Sequence, residues 1–242
     1  MKILVVRHGD PDYERDSLTS KGDTEAALLA DRLCKLDIKA FYCSPLGRAR
    51  RTASYTLDRL GREATVLPWL REFEGKCEKP NTPGEIDICW DWLPQDWTKQ
   101  RLFYDKDRWT DAPELKGTNV ADEYKVVTSG LDRLLAEHGY VRDGSIYRAE
   151  KPNNDTIVFF CHLGVQAVFV SYLLGISPLV MLQGFAPAPA SLTTIVTEER
   201  VEGVASFRVL SYGDTGHLYA KGEKPSFSAR FCECYTNFDE RH

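Results

Sequence analysis

Short apolar runs alternate with stretches of helical period along most of the chain. The run from Ile3 to Val6 is apolar and β-branched and stops at Arg7-His8-Gly9, which predicts a buried strand that leads into a loop. After this loop, Thr19 is a candidate N-cap for a helix that extends to Leu36. The inward positions of this helix, spaced as on one helical face, are Ala26, Leu29, Ala30 and Leu33.

The same alternation returns farther along the chain. A strand predicted at 38–43 is followed by Ser44-Pro45, a pair typical of an N-cap and a first helical residue, and the helix that follows ends at Gly61. The near-continuous apolar run at 156–161 predicts a central strand, and the helix after it ends at Gly175. The other predicted elements are strands at 64–67, 192–197 and 205–210 and a helix at 120–135.

Two segments lack this pattern. Residues 73–119 are rich in Pro, Asp and Trp without a strand period, and a bare loop of that length is rare in a compact domain, so we predict a partly helical insertion that serves as a lid. Its tryptophans either cap a site or form the core of the insertion itself. The tail at 221–242 has no period and receives no assignment.

Strands that lead into helices at short turns predict one α/β domain over residues 1–242. The expected architecture is a three-layer α/β/α fold with a mostly parallel central sheet and the lid over the carboxyl ends of its strands. Ligands collect at those ends in such sheets.

Composition narrows the classes of partner. The 242 residues are 43% hydrophobic and 28% charged, which excludes collagen-like, coiled-coil and wholly disordered chains. With 31 Lys+Arg against 36 Asp+Glu the formal net charge is −5, so no global positive field attracts nucleic acid. No apolar stretch reaches the roughly 18 residues of a membrane span. We expect neither a nucleic-acid nor a membrane partner, and any anion site has to be local.

The cysteines indicate the compartment. Their count of seven is odd, and they are scattered along the chain. Cys232-x-Cys234 is spaced too closely for the usual zinc pairing and has no second pair. The start MKILVVRHGD has a charge too early and an apolar run too short for a signal peptide. We therefore expect free thiols in a reducing cytoplasm.

Basic and imidazole side chains stand at three predicted strand ends. Arg7-His8 follows the first strand, Arg48 lies in the first turn of the helix after the second, and His162 follows the central strand. A helix start favours an anion, and a guanidinium adds a bidentate fork suited to phosphate oxygens. The set predicts a local phosphate site.

Each of these side chains has a plainer interpretation when it is taken alone. A histidine at a strand end is often a hydrogen-bonded structural residue, and clustered arginines are often a solvated basic face, which is our interpretation of Arg50 and Arg51. Two histidines and two arginines stand at such positions. That all four are there only for structural reasons is much less common than for any one of them.

These residues belong to a longer series of motifs that resembles the histidine phosphatase superfamily, the phosphoglycerate mutase-like group, in its phosphatase branch. The matches run in order over nearly the whole chain outside the insertion and the tail. The motifs are Arg7-His8-Gly9, Leu18-Thr19-x-x-Gly22, Cys43-Ser44-Pro45-Leu46-x-Arg48-Ala49-x-x-Thr52-Ala53, Leu70-Arg71-Glu72, His162-x-Gly164 and Gly213-Asp214-x-x-His217-Leu218.

The resemblance implies a role for each matched residue. His8 is expected to be the nucleophile that forms a phosphohistidine, and Glu72 the proton donor. Catalytic contacts to the phosphoryl oxygens are expected from Arg7, Arg48 and His162. Further substrate contacts are expected from Gly9, Asp10 and Tyr13. No metal and no cofactor is implied, because such a charged clamp supplies the stabilisation that phosphoryl transfer needs.

Two carboxylates are candidates for the proton donor. On a strand, Glu72 and Glu74 would share one face, so spacing does not choose between them. The Leu-Arg-Glu context favours Glu72, and Glu74 is then a surface carboxylate. A donor near neutral pH needs a raised pKa, which a closing lid provides by excluding water.

The predicted function is hydrolysis of small-molecule phosphate monoesters. Asp10-Pro11-Asp12-Tyr13 after the first motif and Leu163 before Gly164 depart from the family pattern and leave the organic group of the substrate open. A phosphoglycerate mutase or a sugar bisphosphatase using the same phosphohistidine is the alternative. A non-catalytic phospho-ligand or protein-binding module is a further one. The oligomeric state stays open.

Overall fold

The structure, a computed structural model, describes residues 1–239. Twelve strands lie in this part of the chain. They are β1 Lys2–Arg7, β2 Pro11–Asp12, β3 Ser17–Leu18, β4 Ala40–Cys43, β5 Thr65–Val66, β6 Lys76–Lys79, β7 Thr82–Ile88, β8 Tyr140–Asp143, β9 Ile146–Ala149, β10 Thr156–Cys161, β11 Leu192–Val201 and β12 Val204–Asp214.

The same residues form seven α-helices and four short 3-10 helices. The α-helices are α1 Ser20–Leu33, α2 Gly47–Leu60, α3 Pro94–Trp97, α4 Val120–Glu137, α5 Leu163–Leu174, α6 Pro178–Gly184 and α7 Gly216–Tyr219. The 3-10 helices are Pro68–Leu70, Arg101–Tyr104, Trp109–Asp111 and Pro113–Leu115.

Eight strands of the described chain form a central mixed sheet in the order β5-β4-β10-β1-β11-β12-β9-β8. From β5 to β1 each strand runs parallel to its neighbour. From β1 to β8 every neighbouring pair is antiparallel. The α/β class is confirmed, but the prediction of a mostly parallel sheet is wrong, because only one side of the sheet is parallel.

Short turns explain the antiparallel half of the sheet. Residues 202–203 join β11 to β12 and residues 144–145 join β8 to β9, and connections this short permit only hairpins. Gly203 and Gly144 take positive φ angles of 77° and 59° in these turns. The sequence analysis assigned no element to β8 and β9.

Helices cover both faces of the sheet. Along β1, Ile3 and Val5 belong to one buried cluster, which includes residues of α4, α5 and α6. Leu4 and Val6 belong to the other, which includes residues of α1 and α2. This alternation follows from the period of two along a strand that is buried on both faces.

The helix ends predicted at Thr19, Gly61 and Gly175 are confirmed, whereas α1 ends at Leu33 and not at Leu36, and the start of α2 differs from the prediction. The Thr19 hydroxyl accepts the Gly22 N–H at 3.1 Å as the N-cap of α1, and Gly175 ends α5 with a φ of 66°. The prediction that Ser44 caps α2 is wrong, because the helix begins at Gly47 after the N-cap residue Leu46. Ser44 stays outside because its hydroxyl binds the Leu46 N–H and an imidazole instead.

The insertion at 73–119 is only partly helical. It contains the β6–β7 hairpin, the four-residue helix α3 and three of the 3-10 helices. Trp90, Trp92 and Trp109 are buried in the same cluster as residues of α4 and α5, so these rings serve the core. In the tail, residues 221–239 form turns and one isolated bridge between Cys234 and Asn237, and the remainder of the predicted 221–242 tail lies outside the described residues.

Within residues 1–239, no helix combines the length and the apolar character that crossing a membrane requires.

Close backbone packing between α1 and the loop after β1 makes Gly22 difficult to replace. A Cβ on Gly22 would lie 2.2 Å from the Asp10 carbonyl oxygen, so we expect Gly22→Ala to lower the free energy of unfolding by about 2 kcal/mol or more. Gly184→Ala is the matched control, since a Cβ there meets nothing within 4 Å. Urea unfolding of both variants tests this, and equal stability would contradict the packing argument.

Candidate active site

Three loops leave the sheet side by side because β1, β10 and β4 are lateral neighbours. Arg7 at the end of β1 pairs with Cys161 at the end of β10. The His8 N–H donates to the Cys161 carbonyl at 3.0 Å, and the Ser44 N–H donates to the Phe160 carbonyl at 2.9 Å. The strand order thus places segments distant in sequence around one point.

The structure brings four of the predicted site residues together at this point. The imidazole centroids of His8 and His162 lie 5.1 Å apart, and the charges of Arg7 and Arg48 act on both rings. Arg7, His8 and His162 are buried, with 2%, 2% and 0% of their surface exposed. We call these four residues the Arg–His cluster.

His8 presents a nucleophilic nitrogen. Its Nδ1 lies 2.7 Å from the Gly9 carbonyl oxygen, which only accepts hydrogen bonds, so Nδ1 carries the proton and donates it. Burial, and then the charge of Arg7, lower the pKa of His8 to about 3. The imidazole is therefore neutral near pH 7, and its lone pair is on Nε2.

His162 is held in the opposite orientation. Its Nε2 lies 2.7 Å from the Ser44 hydroxyl, and that hydroxyl already accepts the Leu46 N–H at 3.2 Å. The hydroxyl proton is then best directed at His162 Nε2, which leaves the imidazole proton on Nδ1. Burial, with the nearby His8, keeps the pKa of His162 well below its usual value. His162 Nδ1 has no protein partner among the described residues and is a donor for a ligand.

Among the described residues, each arginine has protein partners at a single guanidinium nitrogen, Nη1. Arg7 Nη1 donates to the carbonyls of Pro187 at 2.7 Å and Ser228 at 3.0 Å, and Arg48 Nη1 donates to the Asp16 carboxylate at 2.7 Å. The Nε atom of each guanidinium is buried without a partner in the described chain. The Nε–H of each guanidinium is therefore available to donate a hydrogen bond to an oxyanion.

Asp16 fixes Arg48 and the start of α2 together. Its second carboxylate oxygen accepts the Gly47 N–H at 2.6 Å, which supplies the cap that Ser44 does not. Although partial burial opposes it, these bonds hold the pKa of Asp16 below its usual value. Asp16 takes a φ of 45° to reach this position, and aspartate tolerates such a backbone better than most residues.

The structure separates the two candidate proton donors. Oε1 of Glu72 accepts the N–H groups of Phe73 at 2.8 Å and Val165 at 3.0 Å, and the carboxyl group lies within electrostatic range of Arg7. Burial raises the pKa of Glu72 despite these donors. Glu74 is exposed and pairs with Arg71 at 2.7 Å, on the outside of the molecule.

Gly164 makes room for Glu72. A Cβ on Gly164 would lie 2.8 Å from Glu72 Oε1 and 2.9 Å from the Trp90 ring. The small residue two positions after His162 therefore allows a carboxyl group and an aromatic ring of the insertion to approach the first turn of α5.

The three residues predicted to contact substrate have different surroundings. The Gly9 N–H donates to the Thr52 hydroxyl at 3.0 Å. The Asp10 carboxylate accepts the Thr19 hydroxyl at 2.8 Å, so its side chain holds the loop to α1. Tyr13 is exposed, and its ring lies 5.5 Å from the Arg48 guanidinium, at the rim of the site.

The sequence analysis missed a carboxylate that connects the site to the tail. Glu25 on α1 is fully buried and accepts the Asp10 N–H and the Ser226 N–H, both at 2.9 Å. Burial raises the pKa of Glu25 in spite of these two donors. A charged residue at an inward helical position was the available signal, since buried carboxylates need partners.

The cluster has the chemistry of an oxyanion site with a built-in nucleophile. Two guanidinium edges and an N–H of His162 are hydrogen-bond donors for the oxyanion. The lone pair of His8 Nε2 is a nucleophile that can attack an electrophilic centre. Within residues 1–239, no group of three or more His, Cys, Asp or Glu is arranged to hold a metal ion.

Comparison with known proteins gives a family match over most of the chain. Residues 3–209 match the model of the histidine phosphatase superfamily (branch 1). A probable phosphatase of Schizosaccharomyces pombe is 24% identical over an alignment that covers 90% of this chain and 95% of that protein.

Other matches are shorter or structural. A probable phosphoglycerate mutase of Serratia proteamaculans is 36% identical over an alignment that covers 30% of this chain and 38% of the mutase. The crystal structure of phosphoserine phosphatase from Entamoeba histolytica with 3-phosphoglyceric acid is 20% identical with a TM-score of 0.58. That match covers 90% of this chain and 98% of the other, and at this identity it shows the fold.

The protonation of His8 is directly measurable. We expect NMR of ¹⁵N-labelled imidazoles to show His8 neutral, with the proton on Nδ1, from pH 8 down to pH 5, because burial lowers its pKa to about 3. The urea-unfolded chain is the control, in which histidines titrate with a pKa of about 6.5. Titration of His8 between pH 6 and 7 in the folded protein would contradict this assignment.

Proposed function

The chain belongs to the histidine phosphatase superfamily, and we propose that it is a phosphatase that hydrolyses small-molecule phosphate monoesters through a phosphohistidine on His8. The observation that carries the proposal is the Nδ1–H bond of His8 to Gly9, which directs the free lone pair of Nε2 into the Arg–His cluster. The curated relatives include proteins named as phosphatases.

In the first step His8 Nε2 attacks phosphorus as the bond from phosphorus to the ester oxygen breaks. The imidazole gains positive charge as the bond forms, and the Gly9 carbonyl stabilises the Nδ1–H that carries part of it. The Nε edges of Arg7 and Arg48 and the Nδ1–H of His162 hold the non-bridging oxygens. These donors are already fixed by protein partners, so little reorganisation accompanies the reaction.

Glu72 is the proposed acid and base. Its protonated carboxyl group gives its proton to the departing ester oxygen, and the carboxylate then takes a proton from the attacking water. The water displaces His8 from phosphorus, and the electron pair of the P–N bond returns to Nε2. Burial raises the pKa of Glu72, which keeps a larger protonated fraction near neutral pH.

The charges of the clamp supply the stabilisation that a metal provides in other phosphoryl-transfer enzymes, so we propose metal-independent hydrolysis. The insertion is proposed as a lid, since Trp90 packs against the start of α5 beside Glu72. A cytoplasmic location remains a prediction from the cysteine pattern.

A phosphoglycerate mutase is the second candidate, favoured by the names of curated relatives. The match spans about two fifths of the length of these mutases. A mutase needs a phosphorylated resting enzyme and a pocket that keeps water from the phosphohistidine. Isomerisation of phosphoglycerate that depends on a bisphosphate primer, exceeding phosphate release, would reverse the order of the two proposals.

His8→Ala tests the nucleophile. We expect this variant to lose phosphate release from phenyl phosphate by roughly 10³-fold or more, while the parent chain keeps its rate in EDTA. His138→Ala is the matched control, since His138 bonds Tyr42 outside the Arg–His cluster. Release by His8→Ala at the parent rate would overturn the nucleophile, and loss of parent activity in EDTA would overturn the metal-free mechanism.

Glu72→Gln tests the proton donor. The amide oxygen still accepts the two backbone N–H groups, so the fold is kept, but hydrolysis of alkyl phosphates falls by about 10²-fold or more. Aryl phosphates with good leaving groups are less affected, because they need little protonation. The parent rate on alkyl esters falls as pH rises through the raised pKa of Glu72, and the variant lacks this limb. Glu74→Gln is the control, and a larger loss in that variant would assign the role to Glu74.

A further inference from the structure

A small cavity adjoins the Arg–His cluster. Its volume is about 190 Å³, below the roughly 300–1,000 Å³ of sites for drug-sized ligands. Three of its ten lining residues are next in sequence to residues of the site or its anchors. Leu163 follows His162, and Ala186 and Ala229 are adjacent to Pro187 and Ser228, whose carbonyls bind Arg7.

This position suits the organic part of a phosphate ester. In the proposed reaction the ester oxygen of a phosphoryl group in the cluster faces Glu72. Trp90 lies beside Glu72 at Gly164, and it is also a wall of the cavity. The inference therefore rests on the proposed phosphatase function and concerns its leaving group.

The walls of the cavity combine aromatic rings with an unpaired carboxylate. The rings are those of Trp90, Phe185 and Phe231, and the carboxylate is that of Asp91. No hydrogen bond or ion pair within residues 1–239 engages the Asp91 side chain. Lys79, a cation whose charge acts on Asp91, is paired with Asp87 and bound to the Trp90 carbonyl.

The backbone of Asp91 is also unusual. Its φ is 61°, a left-handed conformation that is uncommon outside glycine and that clusters at functional sites. Although the residue is accessible to solvent, partial burial of its carboxyl group raises the pKa of Asp91, and Lys79 opposes the shift.

The two charged residues of the cavity lining differ in their pairing. Arg230 is the cation, and it pairs with Glu233 and lies 5.6 Å from the Phe227 ring. Arg230 is thus already engaged by a carboxylate, whereas the Asp91 carboxylate is available to a ligand. Aromatic faces beside a carboxylate are the usual surroundings of an ammonium group, whereas a second carboxylate would be repelled.

We propose that this cavity binds the leaving group of an amino-alcohol phosphate, with Asp91 pairing with its ammonium group as a specificity-determining residue. The aromatic walls then contact the methylene or methyl groups around the nitrogen. The small volume limits the leaving group to a compact amino alcohol.

An isosteric series of esters tests the proposal. The esters are 2-aminoethyl, 2-hydroxyethyl and carboxymethyl phosphate, with phenyl phosphate as a reporter of phosphoryl transfer. We expect kcat/KM of the parent to be about tenfold higher for the aminoethyl than for the hydroxyethyl ester, and lowest for the carboxymethyl ester.

Asp91→Asn removes the charge and keeps a residue that tolerates the left-handed backbone. We expect it to lower the aminoethyl-to-hydroxyethyl ratio of kcat/KM by about tenfold, mostly through KM. Asp96→Asn, on α3 of the same insertion and outside the cavity, is the matched control and keeps the parent ratio.

Three results would overturn the inference. Equal kcat/KM of the parent for the aminoethyl and hydroxyethyl esters, or an unchanged ratio in Asp91→Asn, would remove the ammonium site while phenyl phosphate hydrolysis leaves the phosphatase proposal in place. No release from phenyl phosphate by the parent would overturn the phosphatase function itself.

Discussion

The cost of gathering two guanidinium groups and two imidazoles at one buried point governs this structure. Four positive charges without counterions would not be stable there. The structure meets the constraint by keeping both imidazoles neutral, since burial and the arginines lower the pKa values of His8 and His162. Each guanidinium is then held by protein oxygens at its Nη1 atom. The same neutrality that makes the cluster stable gives His8 its lone pair.

Apart from Ser44, the anchors come from outside the set of motif residues. Asp16 holds Arg48 and the start of α2, the Pro187 and Ser228 carbonyls hold Arg7, and Ser44 orients His162. Such supporting contacts hold the side chains of a site within a fraction of an ångström of their working positions. The residues that depart from the family pattern, 10–13 and Leu163, follow Gly9 and His162 directly in sequence.

The sequence predicted what local periodicity controls. β10 was predicted with its observed bounds, as were the end of α5 at Gly175 and the N-cap Thr19, because each depends on neighbours in the chain. β11 and β12 were predicted as strands but not as antiparallel ones, and β8 and β9 were missed, because the turns at residues 144–145 and 202–203 lie between weakly alternating runs. Ser44 was misassigned because its hydroxyl has a competing partner 118 positions away, His162. Asp16 and Asp91 carry no local signal, since their roles arise only when distant loops meet.

The bonds of Arg7 to Ser228 and of Glu25 to Ser226 join the first strand and the first helix to a segment 221 and 201 positions later. A ribosome that has translated as far as β12 has made every side chain of the Arg–His cluster but not the carbonyl that completes the anchoring of Arg7. The Arg7 guanidinium of the nascent polypeptide is therefore incompletely anchored at that stage, and full assembly of the site waits until residues 226–228 have been translated.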